Sequence, residues 1–308
     1  MTDVSSAAKP FVSVIIPHLN DHDRLALCLE HLHAQTWPRD RYEVIVVDNG
    51  SQRPIDEVVA RFPLSRASFE AERGCGSARN RGVAESKGEI LLFTDSDVLP
   101  APDWIERAVH WLTQGDADIV GGRVRVFPKD PANPTDVELY EQVFAFQNWK
   151  YIQRKNFTVG CCILTRREVY DRVGPFRNGN LPEDMEWGHR ATAMGLRIRY
   201  APDVLLSHPA RHHWHELTRK MDRTTFHYRS MWRERSGRMF WVKWALFTAA
   251  LAVPPVDKLW EVFTCRNLDN TQQKMRAARV LLALRYYRVR RMVEHMLRPD
   301  VLLQEFKV

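Results

Sequence analysis

Two aspartates one residue apart, Asp95 and Asp97, close the apolar run Glu89–Thr94 (EILLFT). Carboxylates at that spacing, held where a strand gives way to a turn, can share a divalent cation and leave positions open for phosphate oxygens, as Mg²⁺ and Mn²⁺ require. The competing reading is a plain turn or helix start, where Asp and Ser act as caps. Asp48 closes another apolar run, Glu43–Val47, and Asn49-Gly50-Ser51 after it are small enough for a flat ring or a ribose to lie against the backbone. Gly74-Cys75-Gly76-Ser77-Ala78-Arg79 has the look of a dinucleotide fingerprint. Arg79, however, stands where a third glycine is required and the turn does not follow the first strand, which argues against NAD and for a helix N-terminus suited to a diphosphate. Pro182-Glu183-Asp184-Met185-Glu186-Trp187 gathers three carboxylates beside an indole. It reads either as an acidic helix start or as a general base with a supporting neighbour and Trp187 as an apolar wall for a sugar face. His208, His212, His213 and His215 offer imidazoles for a zinc hydrolase, but their spacing is not that of a helical H-E-x-x-H site.

These residues need a scaffold, and the first ~210 positions alternate β-branched apolar runs with amphipathic stretches, the pattern of a parallel sheet covered by helices. Strands are predicted at Val12–Pro17, Glu43–Val47, Ser68–Glu70, Glu89–Thr94 and Ile119–Val126, and helices at Arg24–Gln35, Ile55–Phe62, Ser77–Ser86, Arg166–Val173 and Glu183–Met194. Three of the strands end in polar residues, and ligands of open α/β sheets bind at the carboxyl edge of the strands. The expectation is a mostly parallel α/β domain over residues 1–215, followed by a basic, aromatic-rich, mainly helical region over 216–308.

The 308 residues carry 45 Lys+Arg against 38 Asp+Glu, a net charge of +7 that on its own suggests an acidic partner. The excess is not spread evenly. Residues 1–210 hold 25 basic and 29 acidic side chains, a net of −4, whereas 211–308 hold 20 and 9, a net of +11. The tail interleaves cations with Trp232, Phe240, Trp241, Trp244, Phe247 and Trp260, and Gln272–Leu297 reads as a long helix rich in Arg. Attachment to an anionic membrane surface is the expectation for it, a solvated helix packed on the α/β domain the alternative. No nucleic-acid recognition module accompanies the charge. Five cysteines, with no C-x-x-C pair, indicate neither a disulfide framework nor a thiolate zinc site and fit a reducing cytoplasm. The uncharged stretch Trp244–Val256 has 13 residues, too few to span a bilayer.

The ordered blocks SVIIPHLND, CLEHLHAQ, EVIVVDNGS, GCGSARNRGVAESKGEILLFTDSDVLPAPDWI, VGCCILTRREVYDRVGPFRN and LPEDMEWGHRATAMGLRIRYAPDVLLSH, over about residues 12–210, closely resemble inverting glycosyltransferases of family 2, which have the GT-A fold. The resemblance implies a nucleotide-diphospho-sugar donor, commonly a UDP-sugar, held by Pro17, Asn20, Asp21 and Asp48 at the nucleoside and by Arg79 and Asn80 near the diphosphate. It implies Asp95 and Ser96 beside the ribose, Asp97 and His208 as ligands of Mn²⁺ or Mg²⁺, and Asp184, next to Glu183, as catalytic base. Pro17-His18-Leu19-Asn20-Asp21 departs from the family's P-x-[YF]-N-E. The Q-x-x-R-W block of polymerising relatives is absent, Arg219-Lys220-Met221-Asp222-Arg223 standing in that region, which argues against a processive synthase. The expected activity is transfer of a sugar to a saccharide or lipid-linked acceptor in envelope polysaccharide or glycolipid synthesis.

Overall fold

A computed structural model describes residues 9–179 and 182–297. The strands are β1 (Val12–His18), β2 (Tyr42–Asp48), β3 (Ser65–Phe69), β4 (Ile90–Phe93), β5 (Leu99–Pro100), β6 (Ile119–Phe127), β7 (Ile163–Arg166) and β8 (Ile198–Pro209). The helices are α1 (His22–His33), α2 (Asp56–Val59), α3 (Cys75–Glu85), α4 (Trp104–Gln114), α5 (Asp136–Phe144), α6 (Asn148–Lys155), α7 (Arg167–Val173), α8 (Glu183–Ala193), α9 (Trp214–Ser236), α10 (Phe240–Ala252), α11 (Val256–Thr264) and α12 (Thr271–Leu297). They form two compact units, one of residues up to Arg125 with Phe146–His208, the other of Val126–Ala145 with Pro209 onward.

The first unit is built on a mixed sheet in the order β3-β2-β1-β4-β7-β6-β8-β5. The half from β3 to β4 is parallel, and β7 then runs antiparallel to β4. Every residue of β1 is buried, because a parallel strand covered by helices on both faces has no solvent side to alternate with. One face packs on Leu25, Leu29 and Leu32 of α1, the other on Val83 of α3 and on Phe93 and Ile163 of neighbouring strands. A side chain on Gly82 would run into Ile15, so α3 lies directly on β1 with nothing between. That close approach brings the start of α3 to the sheet edge where β1, β2 and β4 end.

The second unit is helical. Segment 126–145, which a single cut after residue 215 leaves with the first region, belongs here, because Leu139 and Val143 of α5 pack on Ala277, Ala278 and Leu281 of α12. Glu141 of α5 is buried, yet keeps its charge through Arg211 at 2.9 Å and Lys220 at 3.2 Å. The long C-terminal helix is present, and the apolar stretch before it stops at Ala252, ahead of Pro254-Pro255, which cannot continue a helix.

Candidate active site

The carboxyl ends of β1, β2 and β4 carry the polar residues that the sequence singles out. After Pro17, Asn20 turns the chain with a positive φ of 59°. Its Oδ1 accepts from Gln52 N at 2.8 Å, and its own N–H donates to Ser51 Oγ at 2.9 Å. Asp48 accepts from Ser51 N at 3.0 Å, closing the turn after β2. Asp21 accepts from Arg24 N at 3.3 Å and so caps α1, a structural task beside any ligand contact. Asn49 had no part in the sequence reading beyond being small. Buried, it donates to the carbonyls of Glu70 and Glu72 and accepts from Gly74 N, tying the turn after β2 to the start of α3.

Arg79, one turn into α3, is 2% exposed and is the hub of the site. Nη2 donates to Asp95 Oδ1 at 2.9 Å and Nη1 to Glu183 Oε1 at 2.5 Å. A buried guanidinium costs several kcal/mol of desolvation unless carboxylates face it, and these two hold it firmly charged. Asn80, expected near the diphosphate, is a clasp: it donates to Phe176 O and accepts from Phe176 N and the Tyr170 hydroxyl, each at 2.8 Å. These bonds hold the segment that carries Phe176, a structural task beside any ligand contact.

Asp184 stands at the start of α8. Its Oδ2 accepts from Gly160 N at 2.9 Å and its Oδ1 from Met185 N at 2.7 Å. Burial first, and the neighbouring Glu183 charge second, push its pKa up to about 6, against the pull of Arg79 and the two N–H donors. A carboxylate poised there is ionised at neutral pH yet basic enough to take a hydroxyl proton in a transition state. Asp95 is likewise raised, by burial and by the Asp97 charge.

Asp97 Oδ2 lies 3.3 Å from His208 Nε2. Adjacent ligands of an octahedral cation at ~2.1 Å are about 3.0 Å apart, so this pair fits two neighbouring positions on one Mn²⁺ or Mg²⁺, with the others left to phosphate and water. The His208 ring is held against Phe146 at 4.4 Å between centroids, a partner with no motif to announce it. Ser96, between the two aspartates, is buried. The other histidines go elsewhere: His212 faces Glu138 at 3.1 Å, and His213 stacks on His215. Among the described residues no three His, Cys, Asp or Glu side chains form a metal-binding group, so Asp97 with His208 is a pair only and the histidine cluster offers no three-residue zinc site.

Trp187 is the clearest correction. The expected wall for an acceptor sugar is 1% exposed, packed on Phe176 and Tyr170, with Nε1 donating to Gly174 O at 2.9 Å. It lies only about 60° round α8 from Asp184, and its large ring is taken up by the core around Tyr170 and Phe176. The sequence reading does not single out Gly160, although its N–H donates to Asp184; no motif marks it.

The sequence pattern of Glycosyl transferase family 2 matches residues 13–174. Glycosyltransferase AglE of Haloferax volcanii is 36% identical over 208 residues, 66% of this chain and 68% of AglE. Poly(ribitol-phosphate) beta-glucosyltransferase of Bacillus spizizenii is 29% identical over 148 residues, 44% of this chain and 23% of that enzyme. Among solved structures, mannosyltransferase PcManGT from Pyrobaculum calidifontis, in complex with GDP-Man and Mn²⁺, superposes with a TM-score of 0.63 at 24% identity, over 96% of this chain and 89% of that one. At that identity the likeness is one of fold.

Proposed function

This chain belongs to glycosyl transferase family 2, is a glycosyltransferase with a GT-A-like α/β fold, and we propose that it moves a sugar with inversion from a nucleotide-diphospho-sugar to a hydroxyl of a saccharide or lipid-linked acceptor in envelope glycan synthesis. One observation supports this reading: the buried Arg79 pairs at once with Asp95, from the D-x-D segment, and with Glu183, the neighbour of Asp184, so the proposed donor-side and acceptor-side carboxylates meet at one guanidinium.

In the proposed reaction the acceptor oxygen bonds to the anomeric carbon as the bond from that carbon to the diphosphate oxygen breaks. The proton passes to Asp184, and the electron pair leaves with the nucleoside diphosphate. Asp184 is held in its ionised form by the Gly160 and Met185 N–H groups, and Glu183 fixes Arg79 beside it. Asp48 and Asn20 border the nucleoside side of the cleft, with Asp95 and Ser96 at the ribose. Asp97 and His208 would hold Mn²⁺ or Mg²⁺, whose charge offsets that of the diphosphate.

The test is release of nucleoside diphosphate by the purified chain given UDP- and GDP-sugars with Mn²⁺. Asp184→Asn should lower kcat by about 10²–10⁴-fold while the rise in melting temperature on adding UDP or GDP with Mn²⁺ persists. Turnover near the wild-type rate in that variant would overturn the base assignment.

A further inference from the structure

Helix α10 is apolar around its whole circumference, with Lys243 its one charged residue. A helix of that kind belongs in a core or in lipid, yet only one edge of it is packed. Phe240, Trp244 and Thr248 are buried, the two aromatics against Met292 of α12. Trp241, Val242, Leu246 and Val253 are exposed, Leu246 by 66%. After Pro254-Pro255 the axis bends by 47° into α11, which adds Val256 at 75% and Trp260 at 71% exposure.

Two further features say what covers this surface. The carbonyls at the C-terminal end of α10 are satisfied from within: Arg285 of α12 donates to Leu251 O at 2.5 Å and to Ala250 O at 3.0 Å. A helix end whose carbonyls bond to protein does not need water. Arg238 in the turn before α10, Lys243 on α10, Arg266 between α11 and α12, and Arg279 on α12 are exposed and stand in no ion pair among the described residues. Asp257 and Glu261 of α11 are neutralised by Lys258 at 3.7 and 2.6 Å. Apolar surface with Trp, and exposed unpaired cations on the same helices and their flanking turns, match an anionic headgroup layer.

We propose that α10 and α11 seat the protein on an anionic lipid bilayer, with Trp241, Leu246, Val256 and Trp260 in the headgroup and upper acyl region. The pair lies in the interface and does not cross it. The thirteen residues of α10 reach about 20 Å against ~30 Å of hydrocarbon, and no single described helix is long and apolar enough to span; the bent pair Gly237–Ala252 with Val256–Thr264 has the length and composition to do so together, but the packed edge ties α10 to the charged helices α9 and α12. This attachment is independent of the catalytic assignments.

The full-length protein is sedimented with vesicles of phosphatidylcholine alone and of phosphatidylcholine with phosphatidylglycerol, at low and high salt. Wild type should partition onto the anionic vesicles and be released by salt. A variant combining Trp241→Ser, Leu246→Ser and Trp260→Ser, with unchanged circular dichroism and melting temperature, should partition at least about tenfold less. A wild type that stays in the supernatant, or a triple variant that sediments equally, would refute the proposal. Sedimentation equilibrium without vesicles tests the rival occupant: a wild-type dimer that the triple variant turns into a monomer would assign the surface to a second copy of the chain and overturn the lipid reading.

Discussion

The Arg79 guanidinium fills the space that a side chain on Gly160 would need: a Cβ built there would meet Nη2 at 2.6 Å. The N–H of the same glycine donates to Asp184, so one residue seats both the buried cation and the candidate base. Arg79 has no room to retreat, being clamped by Asp95 and Glu183. Gly160→Ala is therefore expected to displace Asp184 and lower kcat by about 10²-fold, with a much smaller change in donor KM. Steady-state kinetics decide the point, and a kcat within about twofold of wild type would break the link between these groups.

The raised pKa of Asp184, about 6, has a definite sign in the pH profile. The base must be ionised, so kcat/KM should fall as pH drops through about 6. Glu183→Gln removes the like charge and leaves Arg79 less neutralised, and both effects move that acid limb to lower pH. Linkage gives the matching stability effect. A carboxyl whose folded pKa is raised contributes stability that is full below its unfolded value near ~3.9 and is lost as pH rises through about 6. The melting temperature of wild type relative to Asp184→Asn should decline over that interval; a pH-independent difference would contradict the shift.

Asp97 and His208, 3.3 Å apart, are the ligands proposed for Mn²⁺. Asp97→Ala and His208→Ala should each weaken Mn²⁺-dependent binding of a nucleoside diphosphate at least about tenfold and leave the weak metal-free binding unaltered. Calorimetry with and without Mn²⁺ measures both. Equal affinity in the variants would take these two residues out of the metal's surroundings.

Trp187 should act on stability and not on the acceptor. Its indole is enclosed by Phe176 and Tyr170, so Trp187→Ala is expected to cost about 3–5 kcal/mol, read from denaturant unfolding. Trp187→Phe keeps most of the volume, loses only the Nε1 bond to Gly174, and should retain the acceptor KM. A selective rise of acceptor KM in the phenylalanine variant would restore the sugar-wall reading.

What the sequence by itself determined is local. A β-branched run that ends in aspartate, a glycine pair that opens a helix and an acidic helix start are each set by neighbours within a few residues, and that is how β1, β2, β4, α3 and α8 were legible with their polar ends. The family-like order of the blocks added which of those ends are proposed to share one ligand. The roles not legible there depend on direction in space. Trp187 and Asp184 sit on one short helix, and only the packing of α8 decides which of them meets the cleft and which the core. Asn80 belongs to a matched block, but its amide bonds to Phe176, 96 residues away. Segment 126–145 goes with the second unit because α5 finds its apolar partner on α12, a contact across more than 130 residues. Burial, desolvation and the pairing of Arg79 with Asp95 and Glu183 arise from such long-range approaches, and so only the tertiary structure could make an ordinary acidic helix start into a carboxylate poised near neutral pH.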